Sequence, residues 1–205
     1  MLVARRVQKV AEQQDDKRES GDLALADFRC TPAWVLLGEP GSGKSEALKI
    51  EAKETGGEFL TASTFINSHP MPPQWRGKTL FIDAMDEARA SGTNSLALRI
   101  ANQLRQLDCP AFRLSCRAAD WLGSMDKVDL QDLSPDGKLL TLQLSPLTDS
   151  DIREILQFNH GVADSEAFVT LAEHHRIKPL LHNPLTLGLI AKAIRGDQWP
   201  DNREQ

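Results

Sequence analysis

The chain has 205 residues, 40% of them hydrophobic and 26% charged, which suits one folded domain with a small appendage and excludes global disorder. Its 24 Lys and Arg against 29 Asp and Glu leave a net charge of −5, which argues against nucleic-acid binding driven by overall basic charge. Cys30, Cys109 and Cys116 form no CxxC pair and the five histidines form no HExxH. A disulfide scaffold and a Cys-rich zinc site are therefore excluded, and a reducing compartment fits.

Met1 to Arg6 turns polar without the apolar centre of a signal peptide, and no apolar run reaches membrane-spanning length. The expectation is a soluble cytoplasmic protein. Residues 1–27 are polar; Val3, Val7 and Val10 on one stripe predict a partly helical linker segment, and Asp15 to Glu19 a solvated charge run.

From Ala33 the pattern changes. Trp34-Val35-Leu36-Leu37 is a continuous apolar run, as in a strand buried on both faces. A Gly-rich turn follows, then a helix to about Glu54 with Ala47, Leu48 and Ala52 inward, stopped by Gly56-Gly57. Phe59 to Ala62 reads as a second strand, and the prolines at 70, 72 and 73 impose a loop. Thr79 to Ile82 is a third strand. Leu96, Ile100, Leu104 and Leu107 mark a helix over about 93–107. Ala111 to Cys116 and Leu139 to Leu144 are the fourth and fifth strands. The alternation predicts an α/β fold with a mostly parallel five-stranded sheet flanked by helices, spanning 28–147.

After Pro146 the strands cease, and 148–205 is expected to be a small helical subdomain and tail. Thr148 with Asp151 forms a capping-box pattern, Asp164 opens a second helix, and Asn183-Pro184 a third. The tail from Trp199 closes no element, as in a fragment of a longer protein.

Gly38-Glu39-Pro40-Gly41-Ser42-Gly43-Lys44-Ser45 matches G-x-x-x-x-G-K-S/T. A polyphosphate needs converging N–H donors, and a glycine-bearing turn between strand end and helix start supplies them. Lys44 is placed to reach the β- and γ-phosphates, and Ser45 to offer a hydroxyl to Mg²⁺. Asp83 ends the third strand, where ligands of open α/β sheets sit, and is expected beside this loop as a Mg²⁺ ligand. Asp86 and Glu87 follow; either can orient and deprotonate the attacking water, and spacing does not separate them.

Thr79-Leu80-Phe81-Ile82-Asp83-Ala84-Met85-Asp86-Glu87 resembles the Walker B segment of the NACHT family within the STAND class of P-loop ATPases. That family places a small residue, here Ala84, after the Mg²⁺ aspartate and further acids just downstream. Leu114-Ser115-Cys116-Arg117 resembles its sensor-1 strand, which implies that Arg117 lies near the γ-phosphate. Asn183-Pro184-Leu185 resembles its proline motif, which implies that Pro184 lies near the adenine. The resemblance runs from about Phe28 to Gly196. It departs in the short stretch between Phe59 and Trp75, in Ser115-Cys116 where Thr-Ser is usual, and in having no winged-helix region or sensor repeats.

The resemblance implies a switch that binds ATP with Mg²⁺, hydrolyses it slowly, self-associates or works with other domains, and serves in roles such as bacterial antiviral defence. No N/T-K-x-D guanine-reading segment appears, which leans to ATP over GTP. Two other classes share the loop. A P-loop kinase for a small acceptor needs an Arg-rich lid, whereas Arg153, Arg176 and Arg195 are spread singly. An AAA-type motor acting on nucleic acid or protein needs pore-loop aromatics and a later arginine finger, neither of which is clear. Among the remaining residues, Arg113, Trp34 and Phe28 read as structural, Trp75 and Trp121, in loops, as anchors for a missing domain or plugs of the sheet edge, and His182 as a neighbour of the base site or a structural group.

Overall fold

The computed structural model describes residues 3–10, 21–85, 96–134 and 136–194. They divide into two compact units. One comprises Arg5–Pro40 and Lys44–Ser145; the other, of the described residues, gathers 3–4, 41–43 and 146–194.

The first unit is built on one sheet. Among the described residues its strands are β1 (Arg6–Lys9), β2 (Leu23–Ala24), β3 (Ala33–Gly38), β4 (Glu58–Thr61), β5 (Leu80–Asp83), β6 (Phe112–Arg117) and β7 (Leu140–Leu144). Their order is β2-β1-β7-β3-β6-β5-β4. The five expected strands are present and mutually parallel. β1 pairs antiparallel with β7, and β2 antiparallel with β1, extending the sheet beyond β7.

Alternation along β3 sorts the core. Ala33, Val35 and Leu37 join Leu80, Ile82, Phe112 and Leu114 on one face. That face is covered by α2 (Ala62–Asn67), α3 (Leu96–Gln106) and α4 (Ser124–Gln131). Trp34, Leu36 and Phe81 lie on the other, under Ala47, Leu48 and Ala52 of α1 (Lys44–Thr55). All six residues of β3 are buried, which is why it reads as an uninterrupted apolar run. Burial of each large apolar side chain stabilises the fold by roughly 1.5–3 kcal/mol relative to exposure.

The helical stripe expected through Val3, Val7 and Val10 is instead a strand. Only Val7 is buried in Arg6–Lys9, and Val10 is exposed. The segment's backbone pairs with β7 across Val7–Leu144, Gln8–Gln143 and Lys9–Leu142. The open edge of β7 needs hydrogen-bond partners, and that tertiary demand overrides a weak local pattern.

α2, α4 and a short helix α7 (Lys178–Leu181) were not expected. α2 fits its short connection because Thr61 caps it, accepting from the Thr64 N–H at 3.1 Å. Trp75 is core: it is buried and packs on Phe65 with ring centroids 5.8 Å apart. Trp121 packs partly buried against the same cluster.

The second unit holds α5 (Asp149–His160), α6 (Ser165–His174), α7 and α8 (Pro184–Ala193) around Leu147, Ile152, Leu156, Phe168, Leu181 and Leu187. The Thr148 and Asp151 capping box is formed at both its bonds, Asp151 N–H to Thr148 Oγ1 at 3.3 Å and Thr148 N–H to Asp151 Oδ2 at 2.7 Å. Asp164 Oδ1 accepts from the Ala167 N–H at 2.8 Å, and Asn183 Oδ1 from the Leu185 N–H at 2.9 Å. Each satisfies a helix-start donor that has no partner within its helix. Among the described residues no helix is long and apolar enough to cross a membrane.

Candidate functional site

β3 delivers Gly38 to the carboxyl edge of the sheet, and α1 begins at Lys44. The turn between them needs left-handed backbone at Gly41 (φ +73°) and Gly43 (φ +91°), which glycine adopts without the penalty of a side chain. The Lys44 ammonium donates to the carbonyls of Gly38 at 2.8 Å and Glu39 at 3.1 Å. The cation is thereby drawn against the base of the loop. The first-turn N–H groups of α1 lack intrahelical acceptors and lie at the positive end of the helix dipole. Gly38 through Ser45 thus form one strand-to-helix turn that presents backbone donors and a cation, the chemistry that binds a polyphosphate.

Gly41 also has a neighbour within the second unit. Its carbonyl accepts the Leu185 N–H at 3.2 Å. A Cβ added at Gly41 would stand 2.6 Å from Leu185 Cβ, so no larger residue fits there without movement.

Asp83 is not directly beside the loop-bearing strand. β6 lies between β5 and β3, an insertion that chain order does not reveal. In register, Gly38 of β3 faces Arg117 of β6, and Ile82 of β5 faces Leu114 of β6. Asp83 and Ser115 each stand one residue beyond that last β5–β6 pair, and their side chains meet. The period of two puts Arg113, Ser115 and Arg117 on the α1 face of the sheet, opposite Phe112, Leu114 and Cys116. Ser115 Oγ donates to Asp83 Oδ1 at 2.5 Å and accepts the Ala84 N–H at 2.9 Å. Ala84 has φ +61°, a left-handed conformation costing a non-glycine residue on the order of 1–2 kcal/mol. Sequence reasoning missed this role of Ser115. The available signal was a hydroxyl at the inward position two residues before Arg117 in an otherwise apolar strand.

Arg117 is exposed at the end of β6, across from the first residue of the loop. Pro184 is the first residue of α8, in the second unit. Asp86 and Glu87 lie outside the described residues. His182 is engaged structurally, its Nδ1 2.6 Å from the Leu147 carbonyl while the Leu147 N–H bonds back to the His182 carbonyl at 2.9 Å. Arg113 is buried, donating to the carbonyls of Pro32, Phe112 and Arg29, with its guanidinium 5.2 Å from the Trp34 ring centroid. Burial pushes its pKa down to about 10, so it remains a cation at neutral pH.

Among the described residues there is no cluster of three or more His, Cys, Asp or Glu able to cage a metal. The groups present suit Mg²⁺ held with phosphate oxygens and water. Asp83 is a carboxylate whose Oδ1 is taken by Ser115, and Ser45 is a half-buried hydroxyl in the first turn of α1.

A parallel sheet with a G-x-x-x-x-G-K-S loop at the end of a central strand, leading into a helix, is the architecture of the P-loop nucleoside triphosphatases. No protein-family model and no curated protein matches the chain. Among solved structures it is similar to the FIGL-1 AAA domain in complex with ADP, at 18% identity and TM-score 0.43, over 75% of this chain and 55% of that one. It is also similar to a Thermotoga maritima RuvB variant, at 16% identity and TM-score 0.48, over 78% and 53%. A third is a katanin self-assembly structure, at 13% identity and TM-score 0.43, over 82% and 63%. The chain thus spans 53% to 63% of the length of these three.

Proposed function

We propose that this chain binds ATP with Mg²⁺, hydrolyses it slowly, and acts in the cytoplasm as a nucleotide-controlled oligomerisation switch of the NACHT-like STAND type. The observation that carries the binding half is the loop from Gly38 to Ser45, drawn in by the Lys44 ammonium at the end of a buried strand. The contact of Gly41 with Leu185 supports the switching half, since it joins the tip of the phosphate loop to the helix that begins at Pro184. The resemblance in the Walker B, sensor and proline segments adds self-association and a role in antiviral defence to this reading.

In the proposed mechanism the loop N–H groups and Lys44 bind the phosphates and hold the γ-phosphate in line for attack. Ser45 and Asp83 would hold Mg²⁺, which when bound would neutralise phosphate charge. Asp86 or Glu87 orients the water and takes its proton. Arg117 offsets charge developing on the γ-phosphate.

A double substitution of Asp86 and Glu87 by their amides is expected to leave ATP affinity within about threefold and to lower turnover at least about tenfold. Steady-state hydrolysis and calorimetry on the same preparation check this. Turnover at the wild-type rate would place the base elsewhere.

A switch requires contacts that differ between nucleotide states. Hydrogen exchange is therefore expected to show greater protection of residues 182–194 with ATP than with ADP, and Arg117→Ala to remove that difference. Equal protection with both nucleotides would reduce the protein to a plain nucleotide-binding domain. Turnover stimulated by added nucleic acid or an unfolded protein would favour an AAA-type motor instead.

A further inference from the structure

Ser115 is fully buried in β6, inside a strand whose opposite face is apolar. A buried hydroxyl is expensive unless it is paired, and here both its donor and its acceptor capacity are directed at a single turn. The proton goes to Asp83 Oδ1 at 2.5 Å, and a lone pair accepts the Ala84 N–H at 2.9 Å. The β5–β6 pairing ends at Ile82 and Leu114. The Ser115 side chain therefore supplies the rung that the backbone ladder no longer provides, at the point where Ala84 turns left-handed.

This arrangement makes the two oxygens of Asp83 unequal. Oδ1 is occupied by a hydroxyl donor, and among the described residues Oδ2 accepts no hydrogen bond. A carboxylate held in this way offers one oxygen to a cation. Mg²⁺ demands near-octahedral geometry at about 2.0–2.1 Å, met by single carboxylate oxygens with waters and phosphates, whereas Ca²⁺ readily takes both oxygens of one carboxylate.

We propose that Ser115 is a positioning residue that sets the cation preference of the nucleotide site. It holds Asp83 as a one-oxygen ligand and so favours Mg²⁺ over Ca²⁺. This rests on the reading of Asp83 as the metal ligand, and the test separates the two.

Calorimetry of ATP binding in Mg²⁺, in Ca²⁺ and in EDTA yields two numbers, the affinity gain each cation confers over EDTA. Ser115→Ala is expected to cut the Mg²⁺ gain about tenfold, the effect of one lost charge-assisted hydrogen bond. The Ca²⁺ gain should fall less than about threefold, with the EDTA affinity unchanged, because the phosphate loop is untouched. Ser115→Cys fills the space with a weak donor, so it is expected to fold and to lose at least about threefold of the Mg²⁺ gain. Ser115→Thr retains the hydroxyl and is expected to restore it.

Unchanged gains in Ser115→Ala, or in Ser115→Cys should the alanine variant not fold, would overturn the proposal. Equal losses in Mg²⁺ and Ca²⁺, or a parallel loss in EDTA, would overturn it too, because a merely structural role has that signature. Asp83→Asn is the companion. If it leaves the Mg²⁺ gain intact, the assignment of Asp83 as ligand fails, and that failure is visible independently of Ser115.

Discussion

Lys44→Ala is expected to weaken ATP binding about a hundredfold or more while the chain stays folded. The ammonium at the base of the loop donates to the Gly38 and Glu39 carbonyls, so it both shapes the loop and brings a positive charge to the phosphates. Charge-assisted hydrogen bonds contribute roughly 1.5–3 kcal/mol each, and phosphate bound without the cation keeps only the backbone donors. Lys44→Arg is not expected to rescue, since a planar guanidinium cannot take the place of a compact ammonium between two carbonyls. Calorimetry with ATP and Mg²⁺ measures the loss, and circular dichroism verifies the fold. Unchanged affinity in a folded variant would remove the phosphate-loop assignment.

The second large effect is on stability and arises in the neighbouring strand β6, near its amino end. Arg113→Met is expected to cost on the order of 3 kcal/mol, because one buried cation serves three carbonyls. Its guanidinium donates to Pro32 at 2.6 Å, Phe112 at 3.0 Å and Arg29 at 3.0 Å. Arg29 is itself tied to Glu51 of α1 at 2.6 Å, and that carboxylate raises the Arg29 pKa. Arg113 therefore fastens the segment before β3 to the sheet, and methionine replaces its volume without its donors. Urea unfolding is the measurement, with a fall in Tm of about 10 °C expected in parallel. Nucleotide affinity should stay within about threefold, since Arg113 lies near the amino end of β6 and Arg117 at its carboxyl end. A variant as stable as the parent would show that water replaces the guanidinium at no cost.

Legibility tracked how local each interaction is. The loop from Gly38 to Ser45 carries its donors, its glycines and its lysine on consecutive residues, and a strand and a helix adjoin it in sequence. The caps at Thr148, Asp164 and Asn183 are equally local, because each acceptor lies within three residues of the N–H it serves. The apolar runs of β3 and β5 announced strands buried on both faces. α4 was not legible, because exposed Met125 and Val128 blur its polar face. Arg6–Lys9 was not legible either, since its partner β7 lies more than a hundred residues further on.

What the sequence determined by itself is the phosphate loop, the five parallel strands and the helical region after Pro146, all written in near-neighbour spacing and periodicity. The order of the strands belongs to the tertiary structure alone. It inserts β6 between the loop-bearing strand and Asp83, sets Arg117 across from Gly38, recruits Val7 to close the edge at β7, and turns Ser115 from a small residue in an apolar strand into the partner of Asp83. The physical reason is that sheet order and register are settled by burying both faces of the sheet at once and by pairing backbone groups far apart in the chain, and no short stretch of residues carries that information.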